Sequence, residues 1–423
     1  TLATLAALIL PVQDPAPLSA RQAAAVFATA RDLAAEDRGR LWGRSLAGPI
    51  LIVDRVTGLT YASAPDAEGR LTKDDGVYRG RLPESINPAN TAVDYAGTRW
   101  TMVLWPVPTE PAVRRELLAH ELWHRIQSEL GFDLHSPTNP HLDSESGRVW
   151  LRLEARALVA ALGGRGLERE DAVKDALAFR GERTARDPVA DSTEAALERN
   201  EGLAEYTGYR LSGRLAADQR ARAIAALLRM ERAATVGRSF AYATGPAYGL
   251  LLDDLRPGWR LELKTGASLS SLAARAVGVP RRGADLTAAA DRYGGPEVRE
   301  AEAARDAERV ERVRELRQRF RVGAVLTLPL AQPQAGFDPG RVEALDSLGS
   351  VYGGLRLTDA WGVLDATSGS GWLASNWRLA SVPVESDFDP ETPAGPGWRL
   401  SLVDGWRVIR DPDRDGWIVA PAP

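Results

Sequence analysis

The stretch from Leu117 to Gln127 reads L-L-A-H-E-L-W-H-R-I-Q and contains His120-Glu121-x-x-His124. On a helix, residues four apart share one face about a turn apart, so both imidazoles can reach a single metal ion. Glu121, beside them, can take a proton from a water held on that metal, which is the chemistry of metal-assisted hydrolysis. The bland alternative is an ordinary amphipathic helix with two exposed histidines.

The surrounding residues suit the helix. Leu118, Leu122, Trp123, Ile126 and Leu130 gather on one side, with His120, Glu121 and His124 on the other. Thr109 and Pro111 supply start signals and Gly131 a stop. The chain's four histidines, His120, His124, His135 and His141, all fall in this one short window.

Composition narrows the ligand set. The 423 residues contain no cysteine, so disulfides and thiolate ligands are excluded and any zinc must be held by His and carboxylate. A net charge of −4 gives no basic field to draw the chain to nucleic acid. The apolar run Leu2 to Leu10 is too short to span a bilayer. It reads as the remnant of a secretory signal peptide, and the expected location is secreted or periplasmic; a short buried helix is the competing reading.

A third metal ligand must come from elsewhere, and two glutamates compete. Glu154 lies in the helix predicted over Gly147 to Leu162, on the apolar face opposite Arg148, Arg152 and Arg156. A carboxylate there needs a partner, either the metal or an arginine such as Arg180 or Arg183. Glu201 lies in a second predicted helix, Ser192 to Leu211, on one face with Glu194, Glu198 and Glu205. By default such a stripe is solvated. Burial logic favours Glu154.

A metzincin would carry a histidine six residues after His124, and Leu130 stands there instead. Asn200-Glu201-Gly202-Leu203-Ala204, continuing into Glu205-Tyr206, resembles the N-E-G-x-A motif of gluzincin zinc metallopeptidases. Tyr242-Ala243-Thr244-Gly245 resembles that family's Y-x-x-G segment. The resemblance implies Zn²⁺ held by His120, His124 and Glu201, with Glu121 as general base and Tyr242 steadying the oxyanion. It also implies a peptide or protein substrate. Gly202 leaves room for close helix approach. Glu205, Glu154 and Asp143 are candidates for orienting the imidazoles. Two departures stand out. Residues 125 to 200 separate the two motifs, which keeps Glu154 in play as the third ligand, and the family's G-x-M-E-N peptide-anchoring motif is absent. The rival function is a zincin-like binding protein with a structural metal site, which an intact Glu121 argues against.

The rest of the chain must position these groups. A helix is predicted over Ser19 to Arg40, strands over Pro49 to Asp54, Gly58 to Ala62 and Arg99 to Val107, and loops with short strands over Asp66 to Pro88. The strand Arg99 to Val107 arrives just before the histidine helix, where a zincin would place its substrate-binding edge. Helical patterns continue to Phe320. Past Arg321, Gly, Pro, Ser and Trp punctuate short apolar runs, three of them opened by Gly-Trp; Pro257 to Leu263 has a similar pattern. The expectation is an α+β chain: a linker to residue 18, an N-terminal mixed sheet over 19–108, a zincin-like helical domain over 109–320, and a β-rich domain over 321–423. No residue of the last domain suggests chemistry, and it could bind substrate, a polymer or a partner, or cap the rest.

Overall fold

The computed structural model describes residues 17–83, 85–134, 136–263, 266–278, 286–338, 341–346, 348–412 and 414–423. His135 and the run Leu2 to Leu10 lie outside the described residues. The fold is α+β, with a small mixed sheet, a helical middle and a β-rich C-terminal part.

Helix α1 (Ala20–Asp37) starts on a capping box in which the Ser19 hydroxyl accepts from the Gln22 backbone and the Gln22 side chain accepts in return. Strands β1 (Ile50–Asp54), β2 (Leu59–Ala62), β3 (Thr72–Asp74), β4 (Val77–Arg81), β5 (Thr91–Tyr95) and β6 (Thr98–Trp105) form one sheet in the order β3-β4-β2-β1-β6-β5. β1 and β2 make the expected antiparallel pair, and β1 runs parallel to β6. The strand before the histidine helix is therefore internal. On that side of the sheet the edge strand is β5, which pairs antiparallel with β6. The alternation of β6, whose Trp100 and Met102 face one core and Val103 another, explains why it is covered on both faces.

The helices follow: α2 (Pro111–Ile126), α3 (Glu145–Gly163), α4 (Gly166–Thr184), α5 (Ala190–Leu197), α6 (Leu203–Leu211), α7 (Ala216–Glu231), α8 (Ala241–Leu255), α9 (Trp259–Leu263), α10 (Leu269–Val277), α11 (Leu286–Arg292) and α12 (Gly295–Arg317). Glu110 rather than Thr109 caps α2, its carboxylate accepting from the Ala112 and Val113 amides ahead of Pro111. Gly131, at φ 83°, stops the short 3₁₀ turn that follows α2. The apolar side of α2 packs into an aromatic cluster in which Trp123 meets Trp42 and Phe132, and Trp42 in turn meets Tyr206 and Trp259. Trp259 belongs to the P-G-W-R-L-E-L segment, which is helical here, while P-G-W-R-L-S-L near the C terminus is a strand. In both places the tryptophan is buried with its indole N–H bonded, to Asp253 in one and to the Pro383 carbonyl in the other, so the local pattern alone does not decide the outcome.

The helices end in a π-helical turn at Gln318–Val322, after which every element is a strand. These are β7 (Val325–Pro329), β8 (Gln334–Phe337), β9 (Val342–Asp346), β10 (Gly349–Asp359), β11 (Gly362–Ala374), β12 (Leu379–Pro383), β13 (Ala394–Gly395), β14 (Trp398–Leu402), β15 (Trp406–Arg410) and β16 (Gly416–Pro421). They form one sheet with its own core around Leu357, Trp361 and Trp398, and β8 lies on its margin, paired only with β10. A separate apolar cluster, including Val313 and Phe320 against Val351 and Trp372, ties α12 to this sheet. No helix among the described residues is long and apolar enough to cross a membrane.

Candidate metal centre

His120 and His124 lie one turn apart on α2, and their Nε2 atoms face each other at 3.1 Å. Glu201 Oε2 stands 3.7 Å from the first and 3.5 Å from the second. Among the described residues, these three form the group whose ligand atoms converge closely enough to share an ion.

The hydrogen bonds behind the rings decide what the facing atoms are. His124 Nδ1 sits 2.9 Å from the Gln127 amide oxygen, whose orientation is set because Gln127 Nε2 donates to the Asp133 carbonyl and to Asn200 Oδ1. An amide oxygen only accepts, so neutral His124 carries its hydrogen on Nδ1 and turns a bare Nε2 inward. His120 Nδ1 lies 3.1 Å from Glu205 Oε2 and is fixed the same way. With both rings neutral, two imidazole lone pairs and a carboxylate oxygen point at one another, an arrangement that calls for a cation, a proton or a metal ion, between them. A tetrahedral zinc site with bonds of about 2.0–2.1 Å places its donors roughly 3.4 Å apart, which the separations here match to a few tenths of an ångström. The donor set fits zinc.

The electrostatics agree. Burial disfavours a charged His120, but the Glu201 and Glu205 carboxylates outweigh it and hold its pKa well above the ordinary value. Burial would raise Glu201, yet the two imidazoles hold it well below the usual carboxylate range. The cluster draws positive charge. Glu121 is buried beside it, its Oε2 meeting no hydrogen-bond partner among the described residues, and desolvation pushes its pKa up.

Glu201 reaches α2 because of a local departure from α geometry. The expected helix over Ser192 to Leu211 is interrupted by a π-helical turn at Glu198–Gly202, a feature common at functional sites. Gly202 then meets Gly245 of α8, where a Cβ on Gly202 would lie 2.9 Å from the Gly245 Cα and one on Gly245 would collide with the Gly202 backbone. The contact sets Tyr242 beside Glu201. Its ring lies parallel to that of His120, with centroids 6.0 Å apart, and the negative charge of the Glu201 carboxylate acts on its hydroxyl. Burial and that carboxylate hold the phenol well above its ordinary pKa, so it stays a donor.

Glu154 is not part of this group. It is fully buried among Arg183, 2.6 Å from its Oε2, Arg180, and Tyr248, whose hydroxyl donates to Oε1 at 2.7 Å. Asp143 also lies elsewhere, accepting from the Val236 and Gly237 amides. The acidic stripe is not solvated either: Glu194 pairs with Arg183 and Glu198 with Arg180, all with at most 2 % exposure. Gln127 and Asn200, which orient His124, were not anticipated. The available signals were the three-residue spacing of Gln127 from His124 and the place of Asn200 just before Glu201.

A cleft of about 1030 Å³ opens over His120, Glu121, His124 and Glu201, with Asn90 and Thr91 on one wall and Phe337 on another. A side chamber of about 530 Å³ shares Glu201 and Tyr242 with it. The C-terminal sheet, in which no reactive group was expected, thus walls the site.

Comparison with known protein families, curated proteins and solved structures finds no match. The chemistry rests on the donor set.

Since Glu154 and the metal trio are separate, Glu154→Ala should lower stability by about 3 kcal/mol, because it strands Arg183 in the core. Zinc content should stay at the parent level. Thermal unfolding and elemental analysis of the purified variant check both, and loss of zinc from a folded Glu154→Ala protein would return Glu154 to the ligand set.

Proposed function

We propose that this protein is a zinc-dependent hydrolase of the gluzincin type that cleaves amide bonds in peptides or proteins. What carries the reading is the set of three inward lone pairs, from His120, His124 and Glu201, beside a buried carboxylate with an unpartnered oxygen. A purely structural site has no use for a buried Glu121 lining a large cleft.

Zinc held by the trio would polarise a carbonyl and bring the pKa of a water down to about 7. Glu121 accepts the proton of the attacking water, a role favoured by the upward shift that its burial imposes. The same carboxyl then passes the proton to the departing nitrogen. Tyr242, kept protonated by its surroundings, offers its hydroxyl to the oxygen that gains charge. Glu205 and the Gln127–Asn200 pair hold the imidazoles in one tautomer throughout.

The purified protein should carry about one zinc per chain, and Glu201→Ala should lose it while keeping its far-UV circular dichroism. A protein that neither contains zinc nor takes it up on addition would end this reading. Glu121→Gln should retain zinc and abolish cleavage of casein or a peptide library; a variant as fast as the parent would remove Glu121 as the base. Tyr242→Phe should slow turnover roughly 10- to 1000-fold at unchanged zinc content, as measured by steady-state kinetics.

A further inference from the structure

The side chamber has an unusual charge at its wall. Its lining includes Asp94, Glu201 and Arg238, together with amide and hydroxyl groups from Asn87, Asn90 and Thr91. Asp94 is already paired with Arg99 at 2.6 Å. Of the cations that line the main cleft, Arg222 is paired with Glu116 at 3.1 Å and Arg55 is exposed. Arg238 differs from these. Among the described residues no carboxylate pairs with it; Nη1 donates to the Ser136 carbonyl at 2.9 Å, and the guanidinium sits over the Phe337 ring, 4.9 Å from its centroid.

Those two contacts hold the guanidinium in one plane and occupy one of its corners. Nη1 is thus taken and Nε is buried, which leaves Nη2 as the donor free to meet a ligand in the chamber. A guanidinium with no carboxylate partner is a ready charge-assisted donor to an anionic group. Arg238 lies in the turn that leads into α8, four residues before Tyr242, which borders both the chamber and the main cleft. A substrate whose carbonyl lies at the metal trio can therefore extend a neighbouring group to Arg238.

We propose that Arg238 is the specificity determinant of this site, its guanidinium taking a carboxylate of the substrate through Nη2 on one side of the bond to be cleaved. The substrate class is then a peptide with either a free C-terminal carboxylate or an Asp or Glu side chain at that place. The choice of a peptide rests on the hydrolase reading above; the carboxylate preference rests on Arg238 alone.

The test is binding to zinc-loaded Glu121→Gln protein, followed by calorimetry. The probes are acetylated pentapeptides ending in a free acid or an amide, with Asp or Asn scanned through the positions. One carboxylate should tighten binding at least about tenfold over its neutral counterpart. Loss of the effect on amidation identifies the chain end, and loss on Asp→Asn change identifies a side chain. Adding Arg238→Met should bring the ratio to within about twofold, while Arg238→Lys, which keeps the charge but not the guanidinium, should leave it intermediate. Equal binding of acid and neutral probes overturns the proposal, as does a preference that survives Arg238→Met in a protein of unchanged melting temperature. Should Arg238→Met not fold, an undiminished ratio in Arg238→Lys overturns it as well. Cleavage of the same peptides by the parent protein is scored separately. Preference without cleavage removes the hydrolase and keeps Arg238 as a carboxylate anchor; cleavage without preference does the reverse.

Discussion

The site depends on two backbones being allowed to touch. Gly202 closes the π-helical turn that carries Glu201, and Gly245 lies in the first turns of α8 just after Tyr242. Neither position tolerates a Cβ without something moving. Because the helices meet there, a carboxylate from one and a phenol from the other arrive together at the two imidazoles of α2. Any wider separation would pull both groups back. The glycines stabilise nothing by their own contacts; they set a distance, and the distance sets the chemistry.

A tight helix approach requires a rigid frame behind it, and here the frame is made of buried charge. Glu198 lies in the same π-helical turn as Glu201, and its carboxylate is held by Arg180 and by the Thr244 hydroxyl, which stands next to Gly245. Arg180 also meets Glu194 and Glu154, and Arg183 meets both of these. The network therefore clamps the two sides of the glycine contact directly, through Glu198 and Thr244. Buried ion pairs of this kind are weak contributors to net stability, because desolvation offsets most of the attraction. Their directionality is another matter: each arginine fork accepts few carboxylate positions, so the turn bearing Glu201 has one place to be.

The features legible in the sequence are those that one element fixes alone. The spacing of His120 and His124 is a property of any α-helix, and so the pair could be placed on a face before anything else was known. The resemblance to N-E-G-x-A pointed to Glu201, and the structure brings it to the pair. The misreadings share a cause. A helical wheel puts Glu194, Glu198, Glu201 and Glu205 in one row, but a π-helical turn breaks the row, and the arginines that bury half of it come from α4. Glu154 shows the same limit from the other side, since burial predicts that a partner exists without saying which. The partners of His124 are missed because Gln127 and Asn200 meet only when α2 and the π-helical turn are packed.

The C-terminal sheet is also part of this frame. β5 and β8 each pair with one neighbour only, and both line the side chamber, so the site is walled by the margins of two separate sheets. The margins are joined where the Asn87 amide donates to Gln334 Oε1 and Asn87 Nδ2 to the Arg356 carbonyl. Gly336 packs against the same asparagine closely enough that a Cβ would lie 2.8 Å from its Nδ2. A strand margin offers backbone donors and acceptors to an extended chain, and two of them facing one chamber offer both. On the function proposed above, a metal held by the trio would act on any amide brought to it. Selection would then come from the walls, and one of those walls, with Phe337 under Arg238, belongs to the C-terminal sheet, in which the sequence suggested no chemistry.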